Sequence, residues 1–134
     1  MRGTVRAADN VTKMRPIAMA LGEDLFSQVE IVNADLLDPD SLTEALKDST
    51  YVVHTASPFF VASENPEQEL IRPAVDGTVN TLRAAYATKA KRVVVTSSCV
   101  AVLDPEEKPA DFVYSERHWT DPNGKINYYS KSKT

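Results

Sequence analysis

A tyrosine and a lysine near the end of the chain have the types and spacing needed for proton transfer to an oxygen. Tyr129 and Lys133 are four residues apart, so a helix places them on one face. A lysine ammonium close to a tyrosine favours the phenolate form, which helps a phenol to exchange a proton at working pH. Tyr128 points about 100° away on the same helix and is expected to pack. The spacing alone is common, so it indicates chemistry only together with other residues.

Two serines follow the most strongly predicted strand. The run Arg92–Thr96 is almost continuously β-branched, which is typical of a parallel strand covered on both faces. Ligands of parallel sheets lie beyond the carboxyl ends of the strands, where Ser97 and Ser98 stand. We expect Ser98 to hydrogen-bond the same substrate oxygen as Tyr129 and to stabilise the charge that develops there. The alternative role for both serines is a local hydrogen bond that caps the strand end.

The elements that must position these residues alternate between strands and helices. Short apolar runs predict strands at Gly3–Arg6, Val29–Val32, Tyr51–His54 and Arg92–Thr96. Helical spacing predicts helices over residues 11–21, from Asp40 or Ser41 onward, over residues 66–90 and from Tyr128 onward, with bends at Pro16 and Pro73. Strands separated by helices form βαβ units. The pattern therefore predicts an α/β fold with a doubly wound parallel sheet, as one domain over residues 1–134.

Composition limits the classes of protein and partner. The net charge of −4 offers no basic surface for nucleic acid or an anionic membrane. The single cysteine, Cys99, excludes an intramolecular disulfide, and no run of about 18 apolar residues predicts a membrane span. His54 lies in a strand and is expected to be buried, while His118 has no partner at metal-ligand spacing, so no metal is predicted. We expect a cytoplasmic protein; the sequence does not indicate an oligomeric state.

Six stretches in order give the chain a family resemblance. They are Arg2–Arg6, Ala34–Leu36, Val53–Pro58, Asp76–Asn80, Val94–Ser98 and Tyr129–Lys133. Together they resemble the extended short-chain dehydrogenase/reductases of the NAD-dependent epimerase/dehydratase superfamily, especially the dihydroflavonol-reductase and cinnamoyl-CoA-reductase branch. The resemblance implies a Rossmann-like fold and hydride transfer between a nicotinamide and the carbonyl or alcohol carbon of a small organic substrate. It assigns Ser98 as the catalytic serine, Tyr129 as the proton donor and Lys133 as the lysine that binds the nicotinamide ribose.

Two basic residues favour NADP(H) over NAD(H) as the cofactor. Arg6 ends the strand at which a dinucleotide fold reads the adenosine ribose, and a guanidinium suits a 2′-phosphate there. Lys13 lies seven residues later and matches a second phosphate-binding cation of the reductase branch. Alternatively, both are solvated surface charges. The resemblance further assigns adenine contacts to Asp35 and Leu36, and contacts with the cofactor diphosphate and ribose to Thr55, Ala56, Ser57 and the Tyr129–Lys133 pair.

The glycine content departs from that family. The chain has only four glycines, and none is spaced for the phosphate-binding loop that opens the family's fold. We therefore interpret the chain as an internal fragment that lacks the first strand and the C-terminal substrate region. That strand would lie between those at Gly3–Arg6 and Tyr51–His54, so its loss leaves two strand pairs with free inner edges. The chain alone is expected to be inactive as an enzyme.

Two other functions stay open beside a reductase. A non-catalytic dinucleotide-binding or regulatory module of the same fold agrees with the absent glycine loop, but not with the presence of Ser98, Tyr129 and Lys133 together. A sugar-nucleotide epimerase or dehydratase shares these three residues but usually has an acidic residue at the position of Arg6. Leu103 stands where dihydroflavonol reductases usually carry a polar residue that recognises the substrate. A dihydroflavonol is therefore not the expected substrate; a generic aldehyde or ketone is expected, and steroid or sugar-nucleotide substrates stay open.

Overall fold

The structure, a computed structural model, describes residues 1–6, 11–59, 63–103 and 109–134, without the side chains of residues 11–13. Its strands and helices are, in order, β1 (Arg2–Val5), α1 (Val11–Leu21), α2 (Glu23–Phe26), β2 (Glu30–Asn33), α3 (Pro39–Leu46), β3 (Tyr51–His54), α4 (Arg72–Ala87), β4 (Arg92–Val95) and α5 (Tyr128–Lys133). A π-helical segment at Glu67–Ile71 precedes α4, and a 3₁₀ turn at Cys99–Ala101 follows β4. This alternation confirms the predicted α/β class.

The described strands form two separate two-stranded sheets, β1–β2 and β3–β4. In the first sheet the strands are parallel, with Arg2 opposite Glu30 and Val5 opposite Asn33. Because each strand has one partner in the described chain, β1 and β3 keep one unpaired edge each. The two separate strand pairs agree with the prediction, while the position of their free edges beside a missing strand stays a prediction.

The second sheet is also parallel. The Lys91 N–H donates to the Thr50 C=O at 2.8 Å before the two strands, and the Thr96 N–H donates to the His54 C=O at 2.9 Å after them. The bonded positions advance in the same direction along both strands, from Thr50 to His54 and from Lys91 to Thr96, so the strands are parallel. The carboxyl ends of β3 and β4 therefore lie at one edge. The loops that begin at Thr55 and Thr96 therefore leave the sheet side by side.

The chain divides into two compact units, each with its own buried side chains. The first comprises Met1–Val52 and Asn80–Arg92, and the second comprises Val53–Val79 and Val93–Thr134. Buried residues of the first unit include Leu42, Ala45, Leu46, Val52, Thr81, Ala84 and Ala85. Buried residues of the second include His54, Leu70, Ile71, Ala74, Ala101, Thr120 and Ser130. A single domain over residues 1–134 stays a prediction.

Two of the strands are less covered than the sequence predicted. Tyr51 and Val53 on β3 are each 67% exposed, while the alternate residues of that strand are buried. Val94 and Val95 on β4 are 53% and 41% exposed. The expectation that β4 is covered on both faces is therefore wrong for the described chain, although the strand itself is confirmed.

Helix α3 begins at a different residue from the one predicted. Its N-cap is Asp38, whose Oδ1 accepts the N–H groups of Asp40 at 3.1 Å and Ser41 at 3.2 Å. Pro39 occupies the first helical position, where a missing N–H costs nothing. The Ser41 hydroxyl donates to the Asp38 C=O at 2.9 Å instead of capping the helix. The prediction of Asp40 or Ser41 as the cap was wrong because Pro39 moves the helix start toward the N-terminus.

Arg2 closes the other end of α3. Its Nη1 donates to the C=O of Ala45 at 2.9 Å and of Lys47 at 2.8 Å. Its Nε donates to Glu30 Oε2 on β2 at 2.8 Å. The last carbonyls of a helix lack partners within it and carry partial negative charge, so a guanidinium there stabilises the helix end. Arg2 thus holds α3 against the β1–β2 sheet.

The helices tolerate the two prolines in different ways. Helix α1 runs from Val11 to Leu21 with Pro16 inside it, and Gly22 then takes φ 78° before α2 begins. Positive φ at this junction suits glycine, which has no Cβ. Pro73 lies at the start of α4, directly after the π-helical segment. Proline has no N–H to donate to the carbonyl four residues earlier, which agrees with a change in helix type here, while a bend at Pro73 stays a prediction.

Candidate active site

Helix α5 brings Tyr129 and Lys133 together. The helix begins after Asn127, whose Oδ1 accepts the Ser130 N–H at 2.8 Å and caps the first turn. One turn later, Lys133 Nζ lies 5.6 Å from the centroid of the Tyr129 ring. A cation at this distance is attracted by the face of an aromatic ring. The local sequence therefore places an ammonium over the ring of Tyr129, on the same helix face, as the four-residue spacing predicted.

Ser57 contacts the ammonium of Lys133. Nζ donates to Ser57 Oγ at 2.5 Å, and the serine must accept because an ammonium has no lone pair. Ser57 lies in the exposed loop after β3, while Lys133 is half-buried. In the described stretches, Lys133 pairs with no carboxylate. The structure thus joins a residue of the Thr55–Ser57 segment to the helix that carries Tyr129.

Phe59 was not identified from the sequence, yet its ring contacts Tyr129. The two ring centroids are 5.1 Å apart with an interplanar angle of 89°, which is an edge-to-face contact. Phe59 is 65% exposed. The Tyr129 hydroxyl makes no hydrogen bond to another described residue. The phenol is therefore held by its ring, and its oxygen is available to a ligand.

A cleft of about 240 Å³ lies beside Lys133 in the second unit. Hydroxyl groups of its lining belong to Ser57, Thr78, Thr96, Ser97, Ser132 and Thr134, and His54 also lines it. Among the described residues, those that line the cleft include no aspartate or glutamate. One cation with surrounding hydroxyls and no carboxylate favours a ligand that carries oxygen acceptors.

The two serines after β4 lie in different places. Ser97 lines the cleft with Lys133, and Ser98 does not. Ser98 is half-buried with φ −142° and ψ 153°, and its side chain makes no capping hydrogen bond with the 3₁₀ turn that follows. That turn packs against α5, so Ser98 lies next to an element in contact with the Tyr129 helix. The local capping role is wrong for Ser98, and its catalytic role stays a prediction.

His54 is a buried neighbour of the cleft, as the sequence predicted. It is 7% exposed, and its Nε2 lies 3.4 Å from Thr78 Oγ1. The Thr78 hydroxyl donates its own proton to the Ala74 C=O at 2.8 Å, so His54 Nε2–H is the donor in the first contact. Burial, and then the nearby Lys133 ammonium, lower the pKa of the His54 imidazole below its ordinary value of 6.5. The side chain is therefore neutral at physiological pH.

In the first unit, Arg6 directly follows β1. The residue is exposed, and it forms no ion pair with a described carboxylate. Its position at the carboxyl end of a parallel strand is the one predicted for a phosphate-binding arginine. Lys13, the second predicted cation, belongs to α1, but its side chain lies outside the described residues.

Asp35 and Leu36 follow β2 in a hydrogen-bonded turn. Asp35 Oδ1 accepts the Leu37 N–H at 2.8 Å, and the Asp35 N–H donates to Ser41 Oγ at 3.0 Å. The Leu36 C=O accepts from Asn80 Nδ2 at 2.9 Å. These bonds fix the backbone of both residues at the carboxyl end of β2. They also give Asp35 a local structural role that the sequence did not indicate.

Thr120 anchors the loop before α5 and was not identified from the sequence. It is 1% exposed, and its Oγ1 lies 2.7 Å from the Leu103 C=O and 3.0 Å from the Val100 C=O. Its N–H donates to the Ala101 C=O at 3.0 Å. The partner carbonyls are 17 and 20 residues away, so no local pattern indicates these bonds. By contrast Tyr128, which was expected to pack, is 59% exposed, so that prediction was wrong.

The described residues offer neither a metal-binding cluster nor a membrane-spanning helix. Residues 1–6, 11–59, 63–103 and 109–134 include no cluster of His, Cys, Asp and Glu arranged to hold a metal ion. His118 instead accepts the Ser115 N–H through Nδ1 at 3.0 Å. In the same residues, the helices are too short or too polar to cross a membrane.

Parallel βαβ units with a Tyr–Lys pair on the helix after the last strand agree with the predicted class, the extended short-chain dehydrogenase/reductases. Residues 2–134 match the 3-beta hydroxysteroid dehydrogenase/isomerase family. The chain belongs to this family.

Curated relatives confirm the predicted branch. The chain is 38% identical over 119 residues to an anthocyanidin reductase of Vitis vinifera. This match covers 88% of this chain and 34% of the relative. It is 40% identical over 126 residues to cinnamoyl-CoA reductase 1 of Petunia hybrida. This match covers 92% of this chain and 35% of the relative. The chain therefore spans about a third of the length of these relatives.

A solved structure confirms the Rossmann-like fold. A yeast methylglyoxal/isovaleraldehyde reductase complexed with NADPH is 26% identical to this chain, with a TM-score of 0.80. The likeness covers 98% of this chain and 42% of the yeast protein.

Proposed function

We propose that the intact gene product containing this chain is an NADP(H)-dependent reductase that interconverts a carbonyl and an alcohol on a small organic molecule. The observation that carries the proposal is the position of Lys133 Nζ, 5.6 Å from the Tyr129 ring centroid and 2.5 Å from Ser57 Oγ. The family supports this reading, as do relatives that are reductases and a structural neighbour that binds NADPH.

The residues of the chain fit a phosphorylated dinucleotide. Arg6 offers an exposed guanidinium at the carboxyl end of β1, unpaired among the described carboxylates, and such a planar fork suits a 2′-phosphate. We propose Lys13 as the second cation of this site. Lys133 has two ammonium protons left after its bond to Ser57, and ribose hydroxyls are suitable acceptors for them.

Further contacts with the cofactor follow the carboxyl ends of β2 and β3. We propose that the turn at Asp35 and Leu36 contacts the adenine, since hydrogen bonds with Ser41, Leu37 and Asn80 fix its backbone. We propose that the exposed residues Thr55, Ala56 and Ser57 line the diphosphate and ribose.

Tyr129 performs the proton transfer in this proposal. A nicotinamide cofactor, when bound, would supply the hydride to the carbonyl carbon. The Tyr129 hydroxyl delivers its proton to the carbonyl oxygen, which completes the alcohol, and the Lys133 ammonium stabilises the phenolate left behind. Ser98 donates a hydrogen bond to the same oxygen and stabilises its developing charge.

The proposed substrate class is a small aldehyde or ketone. Leu103, which is 41% exposed, offers an apolar side chain where the flavonoid enzymes usually carry a polar one. A substrate contact at this position would therefore be apolar. The proposal does not extend to a particular flavonoid.

The test is NADPH oxidation by the intact gene product with a panel of aldehydes and ketones. We expect turnover that prefers NADPH to NADH and is strongly reduced, but still measurable, in Lys133→Met. The matched control is Lys131→Met, because Lys131 is an exposed lysine on the same helix. NADPH binding without turnover of any carbonyl would favour the non-catalytic module. Conversion of a sugar nucleotide without net cofactor oxidation would favour an epimerase.

A further inference from the structure

We infer that Ser57 is a positioning residue that fixes the ammonium of Lys133 beside Tyr129. This role differs from lining the cofactor diphosphate or ribose, because it acts through the lysine. The inference rests on the proposed function of Tyr129 and Lys133, and it adds the residue that holds the pair in place.

Among the described residues, Lys133 has few groups that can hold its ammonium in place. A lysine side chain is a flexible four-carbon stem, so an ammonium stays in one place only where acceptors hold it. In the described part of the chain, the Lys133 ammonium has one hydrogen-bond acceptor, Ser57 Oγ at 2.5 Å. Its other contact is the ring of Tyr129. The hydrogen bond links residues 76 positions apart, and so ties α5 to the loop after β3.

In the hydrogen bond between Lys133 and Ser57, the lysine is the donor. Ser57 accepts from Lys133, so its own proton is not used in this contact. That proton is not donated to any other described residue. Ser57 also lines the cleft, so it can hold Lys133 with its lone pair while it donates to an oxygen that enters there.

Ser57 holds Lys133 without neutralising the charge of its ammonium. A carboxylate at position 57 would pair with the ammonium and neutralise it, whereas a hydroxyl holds Lys133 and leaves its charge in place. His54, the other titratable side chain that lines the cleft, is neutral at physiological pH. Lys133 is therefore the sole charged side chain among the described residues that line the cleft near neutral pH. A neutral acceptor is what a lysine requires if it must stabilise a phenolate.

The experiment is a double-mutant cycle on the intact gene product. Four proteins are compared: the wild type, Ser57→Ala, Lys133→Met and the double variant. For each, fluorescence titration gives the NADPH affinity, and steady-state kinetics with a carbonyl substrate give kcat and KM. We expect Ser57→Ala alone to weaken NADPH binding and to lower kcat by about five- to tenfold each, the range for loss of one charge-assisted hydrogen bond at a partly exposed site. We expect no further loss when Ser57→Ala is added to Lys133→Met.

A conservative variant and a folding measurement complete the test. Ser57→Thr keeps the hydroxyl and should restore both quantities to within about twofold of the wild type. The thermal midpoint of Ser57→Ala should match that of the wild type because Ser57 is exposed.

Losses that multiply in the double variant would overturn the inference and leave Lys133 with its role, since Ser57 would then act independently. An unchanged Ser57→Ala would also overturn it. Unchanged binding and turnover in Lys133→Met would overturn the proposed function itself.

Discussion

His54 donates a hydrogen bond through Nε2 to Thr78 Oγ1 at a distance of 3.4 Å, which ties the end of β3 to α4. Thr78 can accept it because its own proton goes to the Ala74 C=O. The contact needs only the neutral imidazole, and a second proton on the ring would put a charge in a buried place near the Lys133 ammonium. His54 therefore makes the stability of the fold depend on pH.

We predict that the free energy of unfolding falls as the pH decreases below about 6.5, the ordinary histidine value. The pKa of His54 is lowered in the folded chain by burial and by Lys133. Between the folded and unfolded pKa values the unfolded chain binds more protons, so acid favours unfolding, while above about 6.5 this group contributes no pH dependence. Urea denaturation at several pH values measures the effect.

The matched variants for this prediction are His54→Gln and His118→Gln. The loss of stability with acid should shrink in His54→Gln, which has no ring to protonate. It should persist in His118→Gln, because His118 lies in a separate loop cluster with Ser115. Equal pH dependence in the wild type and His54→Gln would show that burial of His54 is not the cause.

We predict that Thr120→Val lowers the free energy of unfolding by about 1–3 kcal/mol, the cost of leaving a part-buried carbonyl group without its hydroxyl donor. Thr120 Oγ1 contacts the carbonyls of Leu103 and Val100, and valine has nearly the same shape without the hydroxyl. Thr120→Ser keeps the hydroxyl and is expected to lose less. Chemical denaturation of the three proteins compares them, and equal stability of Thr120→Val and the wild type would contradict the anchoring role.

We predict that Arg6→Ser weakens NADPH binding by about 10- to 100-fold, as expected for loss of hydrogen bonds between a guanidinium and a phosphate. NADH has no 2′-phosphate, so its affinity should change by less than about twofold. Arg15→Ser is the control, because Arg15 is another exposed arginine, on α1. Fluorescence titration with both cofactors measures the change. Equal losses for NADPH and NADH would exclude a phosphate contact at Arg6.

Much of the fold and of the Tyr–Lys pair was predictable from local patterns. Tyr129 and Lys133 share a helix, so their spacing alone placed them together. The strand that ends before Arg6 and the Val-rich β4 were visible as short apolar runs. Both predictions depend on residues that are close in sequence, where hydrophobic periodicity carries the information.

Contacts between distant residues were not predictable in this way. The bond between Ser57 and Lys133 spans 76 positions, and that between Arg2 and the Ala45 carbonyl spans 43. Such contacts depend on how loops and helices pack, which periodicity does not encode. The α3 cap is different, because Asp38 followed by Pro39 is a local start signal in the sequence, and the prediction of Asp40 or Ser41 as the cap missed it.

The most direct test of the account compares carbonyl reduction by Tyr129→Phe and Tyr128→Phe in the intact gene product. Tyr129→Phe removes the proposed proton donor but keeps the ring that contacts Phe59 and Lys133, so folding and NADPH binding should be retained. We predict that its kcat falls by about 10²- to 10⁴-fold, the usual contribution of a general acid. Tyr128→Phe, altered at the neighbouring residue, which is 59% exposed, should keep the wild-type rate. Undiminished NADPH-dependent reduction by Tyr129→Phe would contradict the account.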